Sequence, residues 1–385
     1  MNDRASPWMT EELGILRDQA RRFFTREFAP HRERWDDEGV VDRDAWRKAG
    51  AAGLLCASIP EACGGGGGTR AHDIVIAEEI DRAGLAGGFG AGNGVHSTIV
   101  AHYILTYGSE EQKQRWLPAM ASGELIGAVA MTEPGTGSDL KAVRTTARGD
   151  SGDYIINGQK TFITNGQNAD LIVVVAKTDP QAGSRGVSLI GVETKNAEGF
   201  RRGRNLQKIG MHAQDTSELF FDDVRVPKAN LLGGVEGQGF VQLMVQLAWE
   251  RLQCSFGAVH AMENAVRLTA EYVKERKAFG EPLISFQNTQ FKLAEAKTHA
   301  VIGRVFVDEL LMRLLADTLD PTTAAMAKWW TTDMQGRVVD ECLQLFGGYG
   351  YMTEYPIARM YADARVQRIY AGTNEIMKML IARTL

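Results

Sequence analysis

The sequence predicts an α+β protein in three successive parts: a helical domain, a small β-barrel or sandwich, and a C-terminal four-helix bundle. Hydrophobic spacing is helical up to about Leu125, then alternates over short β-rich segments, and becomes helical again from about Gln238. Pro227, Gly233, Gly234 and Gly237 punctuate the second change. The expected domains are 1–125, 126–235 and 236–385. Strands confined to the middle exclude the alternating strand–helix order of a dinucleotide-binding parallel sheet.

In the first part, Leu13, Leu16, Phe23 and Phe24 can share one helix face. Helical stretches follow at Asp42–Leu54, Arg70–Ala83 and Ser109–Ala121. Ser109, followed by Glu110, Glu111 and Gln112, reads as a helix start: the hydroxyl caps free N–H groups and the acids suit the positive dipole end. The run Gly64–Gly68 reads as a flexible inter-helix turn, since no Lys-Ser/Thr follows it as a phosphate loop requires. In the middle part, strands are expected at 154–160, 170–177, 187–193 and 218–226. Asn157-Gly158 is a hairpin signal and Asn165-Gly166 a second turn. Long helices are expected at 238–275, 285–315 and 321–345, with a last one at 374–383.

Composition narrows the function. A chain of 385 residues can bury a large core, and a net charge of −5 offers no basic field for nucleic acid. No apolar run is long enough to span a bilayer. Four scattered cysteines form no CxxC pair, and the seven histidines show no HExxH spacing, so no metal site is expected. The N-terminal residues carry neither a secretory h-region nor an arginine-rich transit pattern. The expectation is a bacterial-type cytoplasmic protein, or a mitochondrial matrix one if eukaryotic and processed.

Five segments carry chemistry. Met131-Thr132-Glu133-Pro134-Gly135-Thr136-Gly137-Ser138-Asp139 is a glycine-rich turn at the helical-to-β junction, where backbone can approach a ligand closely. Phe162-Ile163-Thr164-Asn165-Gly166 follows a strand. Arg276-Lys277-Ala278-Phe279-Gly280 with Gln287 offers a guanidinium suited to phosphate. Gln344-Leu345-Phe346-Gly347-Gly348 ends a helix, and Ala371-Gly372-Thr373-Asn374-Glu375 opens one, with Thr373 as its cap. Taken singly, each is more often an ordinary turn, solvated surface or helix end. Glu250-Arg251 lies in an apolar helix (Val241, Met244, Val245, Leu247, Leu252, Phe256, Val259) that reads as buried nearly all round. In an unknown helix such a pair is by default a solvated one.

Together, from about residue 10 to the C-terminus, these segments resemble the acyl-CoA dehydrogenases, flavoenzymes that desaturate acyl thioesters. The resemblance implies an FAD site formed by Met131, Thr132, Gly137, Ser138, Phe162, Ile163 and Thr164. Arg276, Phe279, Gln287, Gln344, Leu345, Gly347 and Gly348 would serve the cofactor of a neighbouring subunit, and Thr373 and Glu375 would complete the site. It further implies a homo-oligomer, a tetramer, with an electron-transfer flavoprotein as acceptor. Many relatives carry their catalytic glutamate where this chain has Ala371, which cannot take a proton. The long-chain and isovaleryl-CoA subgroup places its base on an earlier helix, at the position of Glu250. The resemblance thus makes Glu250 the base for the pro-R α-proton, with the β-hydrogen leaving as hydride to the flavin. The Ala371 amide would polarise the thioester carbonyl, while Ser138, Arg251 and Gly372 contact the acyl-CoA substrate. Two other expectations stand beside this one: a dehydrogenase or oxidase acting on a carrier-protein thioester, and a non-catalytic assembly protein on the same fold.

Overall fold

A computed structural model describes residues 6–385. The first part holds α1 (Glu11–Phe23), α2 (Arg32–Glu38), α3 (Arg43–Ala51), α4 (Arg70–Arg82), α5 (Ala91–Asn93), α6 (Ala101–Tyr107) and α7 (Glu110–Ala121). α5 and α6 belong to one continuous stretch with wider π-helical turns at Ala86–Gly90 and Gly94–Val100. The expected start of α7 is present as a reciprocal cap: Ser109 Oγ accepts from Gln112 N at 3.2 Å and Gln112 Oε1 from Ser109 N at 2.9 Å.

Seven strands follow: β1 (Gly127–Ala130), β2 (Thr146–Asp150), β3 (Asp153–Thr164), β4 (Leu171–Lys177), β5 (Val187–Glu193), β6 (Phe200–Asn205) and β7 (Thr216–Pro227). They form one sheet in the order β1-β4-β2-β3-β7-β6, with β5 on the other edge of β4. β4 and β5 are apolar on both faces and almost fully buried, which is why they stand out in sequence. β1, β2 and β6 escape notice: the first is four small residues, and the other two carry arginine, glycine and polar side chains.

Asn157-Gly158 makes no hairpin; it sits at a bulge inside β3, between Ile156 and Gly158 in the pairing with β7. A Cβ on Gly158 would lie 2.4 Å from Thr145 Oγ1, so glycine is required by close approach. The Asn157 amide bonds Asp223 across the bulge at 2.8 and 3.0 Å. The hairpin lies earlier, at Ser151-Gly152 between β2 and β3. The Gly64–Gly68 run is not a free turn either. Its amides bond the Glu61, Pro60, Cys56, Ile59 and Ala57 carbonyls at 2.8–3.2 Å, and a Cβ on Gly65 would meet Ile59 O at 2.2 Å.

The last part contains α8 (Gly239–Glu275), the short strands β8 (Lys277–Ala278) and β9 (Glu281–Pro282), α9 (Gln287–Leu315), α10 (Pro321–Phe346), α11 (Pro356–Ala364) and α12 (Asn374–Ala382). α8 packs against α9 and α10, and α12 against α10. Trp249, Leu252, Phe256 and Val259 of α8 share a core with Ala71, Ile74 and Val75 of α4, joining the two helical parts. Each such large side chain contributes about 1.5–3 kcal/mol on burial. α8 is not buried all round: Val241 and Val245 are exposed, while Trp249 to Leu252 form one continuously buried turn. Among the described residues no helix is long and apolar enough to cross a membrane, and no cluster of His, Cys, Asp or Glu could hold a metal.

Candidate active site

Glu250 sits on the buried stretch of α8 with 6 % of its surface exposed. Tyr103 on α6 donates its hydroxyl to Glu250 Oε1 at 3.0 Å. Oε2 takes no protein hydrogen bond among the described residues, yet it is not sealed from solvent. Burial raises the carboxyl to about 7, against the smaller opposing effects of the Tyr103 bond and Arg251. Trp249 fixes this turn: its indole donates to Thr98 O at 3.0 Å and the Arg70 guanidinium lies 4.5 Å over its ring. Arg251 is also buried, and its Nε has no partner. No carboxylate forms a direct ion pair with it among the described residues; the Glu250 charge acts on it only at longer range.

The loop before α12 approaches the same region from α10. Ala371 adopts φ 52° and Gly372 φ 87°, both left-handed. Lys328, fully buried on α10, donates to Gly372 O at 2.7 Å and Asn374 Oδ1 at 3.0 Å. Asn374 in turn bonds Thr332 Oγ1 at 3.0 Å and Asp333 Oδ1 at 2.9 Å. Thr373 Oγ1 accepts from Ile376 N at 3.3 Å and caps α12. The Ala371 N–H donates to no protein group among the described residues. Lys328 feels both Cys254 and Arg251 electrostatically, so the ammonium that holds the Ala371 loop also lies near the Glu250 turn. Glu375 is exposed.

On the sheet, two of the segments singled out in sequence are tied together. Thr161 N donates to Thr132 O at 2.9 Å. The buried Lys160 ammonium reaches Met131 O at 3.0 Å, Glu133 Oε1 at 2.9 Å and Val175 O at 2.7 Å. Glu133 also accepts from Arg144 N at 2.7 Å and Thr145 N at 2.9 Å. A second β3 bulge, between Lys160 and Ile163, places Phe162 at φ 60° with 66 % of its surface exposed. Ile163 is buried and Thr164 half-buried. The N–H groups of Thr132, Gly137 and Ser138 donate to nothing among the described residues.

The remaining segments form a separate group. Arg276 lies 5.5 Å from the Tyr349 ring, which joins the Arg276–Gly280 hairpin to the Gln344–Gly348 helix end. Phe279 has φ 53° and is 97 % exposed. Gln287, Gln344, Gly347 and Gly348 are exposed, and Leu345 is half-buried. No hydrogen bond or ion pair links this group to the Met131 or Phe162 segments among the described residues. Sequence reasoning missed Tyr103, Lys328 and Lys160, whose partners lie 147, 44 and 27 residues away. Only Glu133, inside the glycine-rich string, carried a local signal.

Comparison with known proteins agrees along the whole chain. The family models for the acyl-CoA dehydrogenase N-terminal, middle and C-terminal domains match residues 10–124, 128–224 and 237–385. The chain is 49 % identical to the mitochondrial long-chain specific acyl-CoA dehydrogenase of Sus scrofa, over 98 % of this chain and 87 % of that one. It is 50 % identical to the acyl-CoA dehydrogenase structure from Geobacillus kaustophilus, with a TM-score of 0.95 and 99 % of both chains covered. A glutaryl-CoA dehydrogenase from Mycobacterium smegmatis, solved in complex with FADH2, is 29 % identical with a TM-score of 0.90, covering 98 % of this chain and 95 % of that one. The chain belongs to the acyl-CoA dehydrogenase family and is an oxidoreductase of that family.

Proposed function

We propose that this protein oxidises a saturated, long-chain acyl-CoA to the trans-2-enoyl-CoA, with Glu250 as the base. The observation that carries the reading is the buried Glu250 carboxyl, raised to about 7 and with Oε2 left free, in a chain whose other family position holds Ala371. A carboxylate with proton affinity near the working pH is well matched to removing a weakly acidic proton. The free Ala371 N–H is oriented by the Lys328 network and offers a donor for the thioester oxygen, lowering the cost of charge developing there. Arg251, buried without a direct ion pair among the described residues, offers charge to the CoA portion. Ser138 and Gly372 complete the substrate contacts.

The residues fit FAD. The free N–H groups of Thr132, Gly137 and Ser138 and the exposed ring of Phe162 give donors and an apolar face on a frame fixed by Lys160 and Glu133. Met131, Ile163, Thr164, Thr373 and Glu375 lie in the same segments. When bound, FAD accepts the hydride from the β-carbon. The exposed group of Arg276, Phe279, Gln287, Gln344, Leu345, Gly347 and Gly348 serves a neighbouring chain's cofactor, in a homotetramer. The acceptor is an electron-transfer flavoprotein, consistent with the lack of a GxGxxG following a strand.

The test is anaerobic flavin reduction in Glu250→Gln. FAD should stay bound and flavin reduction by a long-chain acyl-CoA should slow at least ~10²-fold. Reduction at near wild-type rate would make Glu250 structural. Adding Ala371→Glu to that variant should restore part of the rate.

A further inference from the structure

Glu250 has two oxygens in different situations. Oε1 accepts the Tyr103 hydroxyl at 3.0 Å, and Oε2 has no protein donor among the described residues. Tyr103 has no accessible surface, and its ring packs in a core with Val100, Trp116, Leu117 and Val173. Its neighbour His102 meets Ser58 Oγ at 2.8 Å, and Ser58 donates to Asp73 at 2.5 Å. Asp73 lies 3.6 Å from Arg70, the same arginine that covers Trp249. One polar network on α4 and α6 therefore holds both residues that flank the pair: His102 beside Tyr103, and Trp249 beside Glu250.

We propose that Tyr103 is a positioning residue for the base: its hydroxyl clamps Oε1 of Glu250, so that Oε2 alone is presented to the substrate α-proton. The inference rests on Glu250 being the base. A rotationally free carboxylate on a long side chain spends most of its time misdirected. A single buried hydrogen bond to one oxygen removes that freedom without occupying the reacting oxygen. Because the phenol donates to the ionised form, it also favours the carboxylate over the acid. The other groups near Glu250 and its neighbour Cys254 are Arg251 on α8, Lys328 on α10 and Tyr370 before the α12 loop, while Tyr107 on α6 lies against the Tyr103 ring. Among the described residues none of them donates a hydrogen bond to the carboxylate.

The test compares three versions of the holoenzyme by flavin-reduction rate against pH. Tyr103→Phe should reduce its flavin about 10-fold more slowly at pH 7, with the midpoint of the rising limb moved up by about one pH unit. KM for the acyl-CoA should change less than about threefold, since the hydroxyl does not face substrate. Tyr103→3,5-difluorotyrosine keeps the hydroxyl as a stronger donor, so its midpoint should move down. Glu250→Gln fixes the baseline. Opposite shifts in the two Tyr103 variants support the clamp. A wild-type profile in both, with Glu250→Gln inactive, overturns the clamp and leaves the base in place. An active Glu250→Gln overturns the base and the clamp together. If Tyr103→Phe does not fold, the fluorinated protein alone decides by the direction of its shift.

Discussion

The Lys328 ammonium on α10 donates to the carbonyl oxygen of Gly372 at 2.7 Å, and so fixes the left-handed turn at Ala371-Gly372 from beneath. Burial lowers Lys328 to about 8, so the network holds a charge that solvent does not stabilise. Lys328→Met removes the donor from two buried acceptors, Gly372 O and Asn374 Oδ1. The expected loss is about 1–3 kcal/mol of stability in urea denaturation. Flavin reduction should fall as well, because the Ala371 amide loses its frame. Unchanged reduction by a measurably destabilised variant would show that the network holds α12 and not the reacting carbonyl.

A buried ion pair supports the other end of the site. Lys160 and Glu133 have 0 % and 6 % exposed side chains and lie 2.9 Å apart. Burial lowers Lys160 to about 8. Lys160→Met leaves Glu133 charged and buried beside its two backbone donors, at a cost of about 3–5 kcal/mol. The Met131 carbonyl loses its anchor too, so FAD content should drop in the purified protein. Adding Glu133→Gln should recover part of the stability, because the stranded charge is gone. Absorbance at the flavin band per protein reads out the first effect, and thermal melting the second.

Phe279 tests the assembly. Phe279 is 97 % exposed at a positive φ, and its one aromatic neighbour among the described residues is Phe286, edge-on at 6.2 Å, which leaves most of its ring to water. Phe279→Ser should leave the monomer fold intact, shift native mass away from the proposed tetramer, and lower FAD occupancy. A tetramer of full occupancy in this variant would remove the hairpin from the interface.

Much of this was legible in the sequence, and the misses share a cause. α8, α9, α10 and α12 were read within two residues because their apolar spacing runs for many turns. β4 and β5 were read because burial on both faces made them continuously apolar. β1 and β6 were lost because a four-residue strand of small side chains and a polar edge strand look like loop. The bulge at Gly158 mimicked a hairpin, since both need the same dipeptide. Glu250 and Ala371, the proposed base and carbonyl donor, stand out in sequence because motif and position coincide. Tyr103, Lys328 and Lys160 were not, because each is an ordinary residue in its own element and gains its role only from a partner brought close by the tertiary fold.

The last prediction concerns stability against pH. Burial raises Glu250 from an ordinary 4.5 to about 7. Between these values the native protein holds a proton that the unfolded chain has lost. Native stability is therefore favoured below about 4.5, and this group's contribution declines as pH rises to about 7. A shift of this size corresponds to roughly 3 kcal/mol at most, at about 1.4 kcal/mol per pH unit. Glu250→Gln carries no such proton and can still accept the Tyr103 hydroxyl through its amide oxygen. At pH 8 it should be more stable than the parent by up to about 3 kcal/mol, and at pH 5 nearly equal to it. Urea midpoints at the two pH values decide the matter. An equal stability difference at both would mean that Glu250 is not held protonated by its surroundings. The wild-type enzyme would then be expected to keep its flavin-reduction rate well below pH 7.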